Sequence, residues 1–263
     1  MPNRMTLRRT LVMYYLAAAC LPLMLAGITF VQVFSRNLEK EIREKNFLVA
    51  KTMTGEVNRF LVDYRTILEY AADRMTREPG LGPFPNERLE WMVHRYNLFE
   101  SVRVLSRESR IQTLAPFRMD LTGMDMSGHP FIRQAISSVQ PAWSDVYLSS
   151  RTGEPAISLA IPFAGGVVVG DMNLTVLQEI IEKVRIGSGG YAAVTDAMGA
   201  MIAHPERAHV IQRMNAKNLD PVRQGLEGQE GTFRYRIQDQ ERIGSVARVP
   251  ETGWLMVVVQ TKK

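Results

Sequence analysis

The stretch Gly165-Gly166-Val167-Val168-Val169-Gly170-Asp171-Met172-Asn173-Leu174 sets a carboxylate directly after a run of β-branched residues. Three valines between glycines read as a buried strand. An ionised group at the edge of a core needs a partner, which is a helix N-terminus, a cation or a ligand. Two readings of Asp171 are therefore open. It caps a helix beginning near Met172, or it contacts a ligand.

Outward from that strand the pattern is a hairpin. Ala156 to Phe163, a glycine turn and Val167 to Val169 run strand, tight turn, apolar strand. The same order returns near the C-terminus in Ile243 to Pro250, another glycine turn and Trp254 to Val259. Further short β-type runs are Ser101 to Ser106, Ile111 to Pro116, Ala142 to Leu148, Pro155 to Phe163 and Val167 to Asp171. Helical spacing marks Asn86 to Arg95, Phe131 to Val139 and Met172 to Arg185. After the linker Gly187-Ser188-Gly189-Gly190, a hairpin of Tyr191 to Thr195 with Ala200 to Ala203 and a helix at Pro221 to Leu226 are expected. Strands at Gly231 to Ile237, Arg242 to Val249 and Trp254 to Gln260 complete the second set. The fold class is α+β: two related tandem units with antiparallel sheets.

The N-terminal third is different. Leu11 to Phe34 carries no charged residue. As a helix it would be ~36 Å long, enough to span a bilayer once. Arg4, Arg8 and Arg9 precede it with no acid, whereas Arg36, Glu39, Lys40 and Glu41 mix after it. The positive-inside rule then places residues 1–10 in the cytoplasm and the rest outside the membrane. A cleaved signal or lipoprotein signal at Cys20 would end the apolar run near the cleavage site, yet the run continues well beyond it. Pro22 is expected to kink the span. From Ser35 to Thr76 apolar residues recur at three- and four-residue steps, giving one long amphipathic helix over 35–76 whose exposed stripe could pair with a second copy as a homodimer. Glu78 to Pro85, with three prolines and two glycines, ends it.

Composition bounds the function. The 263 residues, 46% of them hydrophobic, support a sizeable core. The net charge of +5 comes from scattered Lys and Arg without a basic block, so no nucleic-acid partner is expected. Cys20 is the one cysteine, which excludes an intrachain disulfide. His204 and His209 are separated by Pro205 and do not share a helical face, so they read as turn histidines rather than metal ligands. No nucleophile elbow, P-loop or zinc signature occurs, and neither an enzyme nor a cofactor is expected.

Trp143-Ser144-Asp145-x-Tyr147, Thr152-Gly153-Glu154, Gly170-Asp171 and Gly189-Gly190-Tyr191 followed by His204-Pro205 stand in an order that resembles the double Cache sensor domain of bacterial transmembrane receptors. The resemblance covers Asn37 to Lys263. It implies PAS-like units, a membrane-distal one at 77–186 that binds a small extracellular molecule and a membrane-proximal one at 187–263 that relays the change. It also implies a coupled histidine kinase, chemoreceptor or cyclase module; none follows Lys263 here, so the chain is either a fragment or a binding subunit.

Receptors of this type that bind amino acids carry Tyr, Arg-x-Trp-Tyr, Tyr-x-Asp and a final Asp. Laid on this chain, those positions read Met124, His129-Pro130-Phe131-Ile132, Tyr147-Leu148-Ser149 and Asp171. Only Tyr147 and Asp171 match. His129 offers a single pH-dependent donor where Arg would grip a carboxylate in bidentate fashion, and Ser149 lacks the acid that would help hold an ammonium group. A carboxylate or an amine is therefore preferred over a free amino acid. Trp143 and Tyr147, four apart on one strand, would share a face, and Arg133 is the nearest helical cation. The candidate ligand residues are Tyr147, Asp171, His129, Phe131, Trp143, Ser149, Met124 and Arg133. The alternative function is a membrane-anchored scaffold that binds a protein partner and no small ligand.

Overall fold

The computed structural model describes residues 4–77, 86–149, 151–172, 174–184, 186, 189–237 and 240–261. The expected helix stop at 78–85 and part of the linker at 187–190 lie outside the described residues. The chain divides into two compact units, Met1–Lys45 and Asn46–Lys263.

Helix α1 runs Arg4–Arg77 and contains Pro22. In the first unit its large apolar side chains face outward: Tyr14, Tyr15, Leu23, Met24, Phe30 and Val31 are all exposed. Among the described residues no helix is long and apolar enough to cross a membrane. The expected span at 11–34 falls in part outside them, since the side chains of Leu11, Met13, Leu16, Ala17, Ala19, Leu21 and Leu25 are not among those described.

In the second unit the α1 stripe is buried. Ala50, Met53, Val57, Leu61, Tyr64, Leu68 and Ala71 recur at three- and four-residue steps and are at most 5% exposed. They belong to one core cluster with residues of both sheets, including Val102, Val168, Met172, Val194, Met256 and Val258. Helix α2 (Asn86–Tyr96) adds Leu89, Met92 and Val93 to that cluster.

The first sheet contains β1 (Phe99–Ser106), β2 (Ile111–Ala115), β3 (Ala142–Trp143), β6 (Ser158–Phe163) and β7 (Gly166–Met172) in the order β2-β1-β7-β6-β3. The second contains β8 (Tyr191–Thr195), β9 (Met201–Ala203), β10 (Gly231–Ile237), β11 (Gln240–Arg248) and β12 (Leu255–Thr261) in the order β10-β11-β12-β8-β9. Numbered within its own sheet, each set of strands reads 2-1-5-4-3, and every pairing is antiparallel. Each sheet turns one face to α1 and covers the other with a short helix. Helix α3 (Pro130–Ser138) packs Phe131, Ile132 and Ala135 on Leu105, Ala160, Val167 and Val169. Helix α6 (Asp220–Leu226) packs Val222 on Val246, Leu255 and Val257. Helix α4 (Leu174–Glu182) leads from the first sheet toward the second.

Two expected strands are corrected. Ala142 to Leu148 is not one strand but β3 and β4 (Tyr147–Leu148), and β4 pairs with β5 (Pro155–Ala156) in a separate two-stranded sheet. The ladder breaks after Trp143 because the Ser144 hydroxyl accepts the Ser158 N–H at 2.8 Å, a side-chain bond that competes with strand pairing. Likewise Pro155 to Phe163 is interrupted at Ile157, whose carbonyl accepts the Met172 N–H. Helix α5 (Arg207–Ile211) and a 3-10 turn at Met119–Leu121 are too short for periodicity to reveal.

Candidate functional site

From Ser101 onward, past the register shift after Phe99, strand alternation sends the odd-numbered residues of β1 and those of β7 to the α3 side of the first sheet. On β1, Ser101, Arg103 and Leu105 share that side while Val102 and Val104 face α1; on β7, Val167, Val169 and Asp171 share it while Val168 and Met172 face α1. Register then sets two hydroxyls beside the acid. Asp171 stands opposite Ser101 on β1 and opposite Ser158 on β6.

Four side-chain donors converge on Asp171. Its Oδ1 accepts from Ser158 Oγ at 2.6 Å, from Tyr147 Oη at 3.0 Å and from an Arg103 Nη, and its Oδ2 accepts from Ser101 Oγ. Tyr147 Oη and Ser158 Oγ also share a hydrogen bond of 2.7 Å. The Arg103 and Asp171 side chains are only 15% and 12% exposed. An ion pair this secluded carries a costly desolvation, which the hydrogen bonds gathered on Asp171 offset. Burial is the largest influence on Arg103 and opposes its charge, but the Asp171 and Tyr147 charges and the hydrogen bonds to both together outweigh it and hold the guanidinium pKa above its usual value. Burial and then the Asp171 charge push the Tyr147 hydroxyl well up, so it remains a neutral donor.

His129 stands at the start of α3, within electrostatic reach of Arg103 and Asp171. It precedes Pro130 at the first helical position and makes no side-chain cap bond. Burial and then the Arg103 charge pull its imidazole pKa below the ordinary 6.5, against a smaller opposing pull from Asp171. Its ring meets that of Phe131 edge-on at 6.0 Å.

Of the residues expected from sequence, Tyr147, Asp171 and His129 come together, and buried Phe131 packs beneath the site. Met124 is 46% exposed, and Arg133 Nη1 donates to the Ser127 carbonyl at 2.9 Å. Ser149 donates to Glu100 Oε1 at 2.8 Å, where Arg151 also bonds at 3.2 Å. Trp143 does not share a face with Tyr147. Its ring packs on Tyr64 of α1 at 5.9 Å and on Trp254 at 5.8 Å, because the chain leaves the sheet between β3 and β4. Asp171 does not use its carboxylate as a cap: among the described residues its hydrogen bonds all go to side chains, and α4 begins at Leu174. The sequence reading missed Ser101, Arg103 and Ser158.

Two other features gather polar groups. A cleft of about 720 Å³ is lined by Phe99, Glu100, Glu154, Gln178 and Arg207 among others. Its charges pair across an open surface, Arg207 with Glu154 at 3.4 Å and Arg151 with Glu100 at 3.2 Å, which leaves it less specific than the buried Asp171 cluster. His204 and His209 approach each other, Nδ1 to Nδ1 at 3.2 Å, and the His204 nitrogen accepts the Glu206 N–H at 3.0 Å. Among the described residues no group of three or more His, Cys, Asp or Glu is placed to hold a metal ion.

Comparison with known proteins bears on this arrangement. The methyl-accepting chemotaxis protein TlpB of Bacillus subtilis (strain 168) is 26% identical over 135 residues, which is 50% of this chain and 20% of TlpB. The chain thus spans about a fifth of that relative's length. The ligand-binding domain of the Pseudomonas fluorescens chemoreceptor CtaA, in complex with L-isoleucine, superposes with a TM-score of 0.68 at 20% identity over 86% of this chain and 95% of that one. The ligand-binding domain of Mlp24 with asparagine gives 0.67 at 18% identity over 86% and 94%. These TM-scores show a shared fold. The Cache domain family in its dCache_1 form matches residues 34–263, and the chain belongs to that family.

Proposed function

We propose that this chain is the extracytoplasmic ligand-sensing portion of a bacterial transmembrane signal transducer, and that a small molecule binds on the α3 side of the first sheet. The observation that carries the reading is the buried Asp171, Arg103, Tyr147 and Ser158 cluster with His129 beside it, a set of polar groups concentrated where the opposite sheet face is all core. It is supported by family membership and by the chemotaxis role named for TlpB. The solved domains of like fold contain bound L-isoleucine and asparagine, which agrees with a small-molecule ligand here.

In this reading residues 77–186 form the membrane-distal unit and 187–263 the membrane-proximal unit, with 35–76 as stalk and dimerisation helix. Residues 11–34 anchor the protein in the inner membrane and 1–10 lie in the cytoplasm. The ligand favours one of two dimer arrangements through its differential affinity, and α1 carries the shift. The chain itself performs no catalysis.

Thermal unfolding of the full chain in detergent micelles, against carboxylates, amines, amino acids, purines and sugars, tests the proposal. A ligand at 100 times its Kd should stabilise the folded state by about 2.7 kcal/mol. Tyr147→Phe and Asp171→Asn should reduce that shift while unfolding stays cooperative. No shift with any compound would leave the protein-binding scaffold as the surviving function.

A further inference from the structure

The hydrogen bonds within the site limit what a ligand can offer it. A carboxylate has about four lone-pair positions, and Ser101, Arg103, Tyr147 and Ser158 all stand within hydrogen-bonding distance of Asp171, with Tyr147 and Ser158 sharing their two hydroxyl protons between it and each other. Three of these donors crowd Oδ1 and one meets Oδ2, so an ammonium group would find a single acceptor position, on Oδ2 beside Ser101. Arg103 is in the reverse condition. A guanidinium has five N–H donors; one of its Nη atoms meets Asp171, and its Nε is buried with no hydrogen-bond partner among the described residues.

The charges agree with the donor count. Arg103 already neutralises Asp171, so an arriving ammonium would put an excess cation beside a guanidinium. The other acid on β1, Glu100, is engaged by Ser149 and Arg151. His129, near Arg103, offers an imidazole N–H and brings no negative charge to the site.

We propose that the site recognises a small organic anion, a carboxylate, through the unpaired edge of Arg103 and the imidazole of His129, and that it discriminates against amines. Asp171 does not touch the ligand. It fixes the guanidinium plane so that the remaining donors are already oriented, and a planar fork of donors matches a carboxylate. This assignment rests on the sensor reading of the same site.

Thermal unfolding and calorimetric titration of the full chain in detergent micelles would use propionate, lactate and succinate, against propylamine and putrescine, and against L-alanine and L-isoleucine. At least one carboxylate should raise the unfolding midpoint, amines should not, and the amino acids should bind about tenfold more weakly or worse. The double variant Arg103→Gln/Asp171→Asn leaves no unpaired buried charge; it should unfold cooperatively and lose the carboxylate response. His129→Gln, at an exposed position, should weaken binding about tenfold.

A midpoint raised by an amine or amino acid while carboxylates stay silent would overturn the anion assignment and leave the sensor function standing. Silence of all seven probes in this set would overturn it as well; the sensor function then depends on the purines and sugars of the wider panel. A carboxylate response that survives in the double variant would remove Arg103 from recognition.

Discussion

Asp171 and Arg103 are worth most to each other. Asp171→Ala would leave a buried guanidinium without its counter-charge, and the expected cost is about 3–5 kcal/mol, measured by urea denaturation. Tyr147→Phe removes one of several donors and should cost about 1 kcal/mol. Replacing both charges together should recover most of the loss. A second prediction concerns pH. His129 is lowered by burial and by Arg103, and His204 by burial and by His209. Each folded imidazole resists the proton that the unfolded chain accepts near 6.5, so stability is complete above that value and falls as pH drops through it toward the lowered folded value. The urea midpoint should therefore decline from about pH 7 to pH 5, and His129→Gln and His204→Gln should each flatten part of the slope. An unchanged slope in both variants would refute the assignment. Asp171 stood out in the sequence as a carboxylate closing an apolar strand, and Tyr147 as the other residue that matches the double Cache pattern. Arg103 carried a usable signal too, since the alternation Ser101-Val102-Arg103-Val104 puts an arginine on a strand face that needs a counter-charge. What the sequence lacked was the partner, which is 68 residues away on β7 and is brought near only by sheet pairing.

Between elements, α1 is held by apolar contact far more than by charge. Leu61 is fully buried in the shared core, and Leu61→Ala should cost about 2–5 kcal/mol. Lys51→Ala removes a pair with Glu230 whose side chains are 46% and 31% exposed, and should cost about 0–1 kcal/mol. Equal losses in the two variants would contradict this ranking. At Gly170 the helix comes close against the first sheet. A Cβ there would lie 2.7 Å from Tyr64 Oη and 2.9 Å from Leu68 Cδ1, so the glycine lets the helix sit directly behind the Asp171 site. Gly170→Ala should destabilise by about 1–3 kcal/mol through overpacking, again read by urea denaturation. The helix stripe and both hairpins were legible because their periods of 3.6 and 2 persist over many residues. The break between β3 and β4 was not, because Ala142 to Leu148 keeps a strand-like pattern while the Ser144 hydroxyl takes the ladder bond.

Across the molecule, the identical strand order of the two sheets explains why two hairpins 87 positions apart, as counted from Ala156 to Ile243, read alike in sequence. The first unit poses a separate physical problem. Tyr14, Tyr15, Leu23, Met24, Phe30, Val31 and Phe34 are each more than half exposed on one uncharged stretch of α1. A soluble surface rarely leaves so much contiguous apolar area in water, whereas a bilayer would cover it. Among the described residues no helix meets the length and apolarity of a span, so the anchor is argued from the uncharged run and its exposure and needs its own test. Expressed in a bacterium, the full chain should sediment with membranes and remain there through an alkaline carbonate wash. A chain beginning at Asn37 should stay in the supernatant and keep the carboxylate response. If the wash releases the full chain, the anchor is lost from the proposed function, and the Asp171 site, built wholly from residues 101–171, stands independently of it.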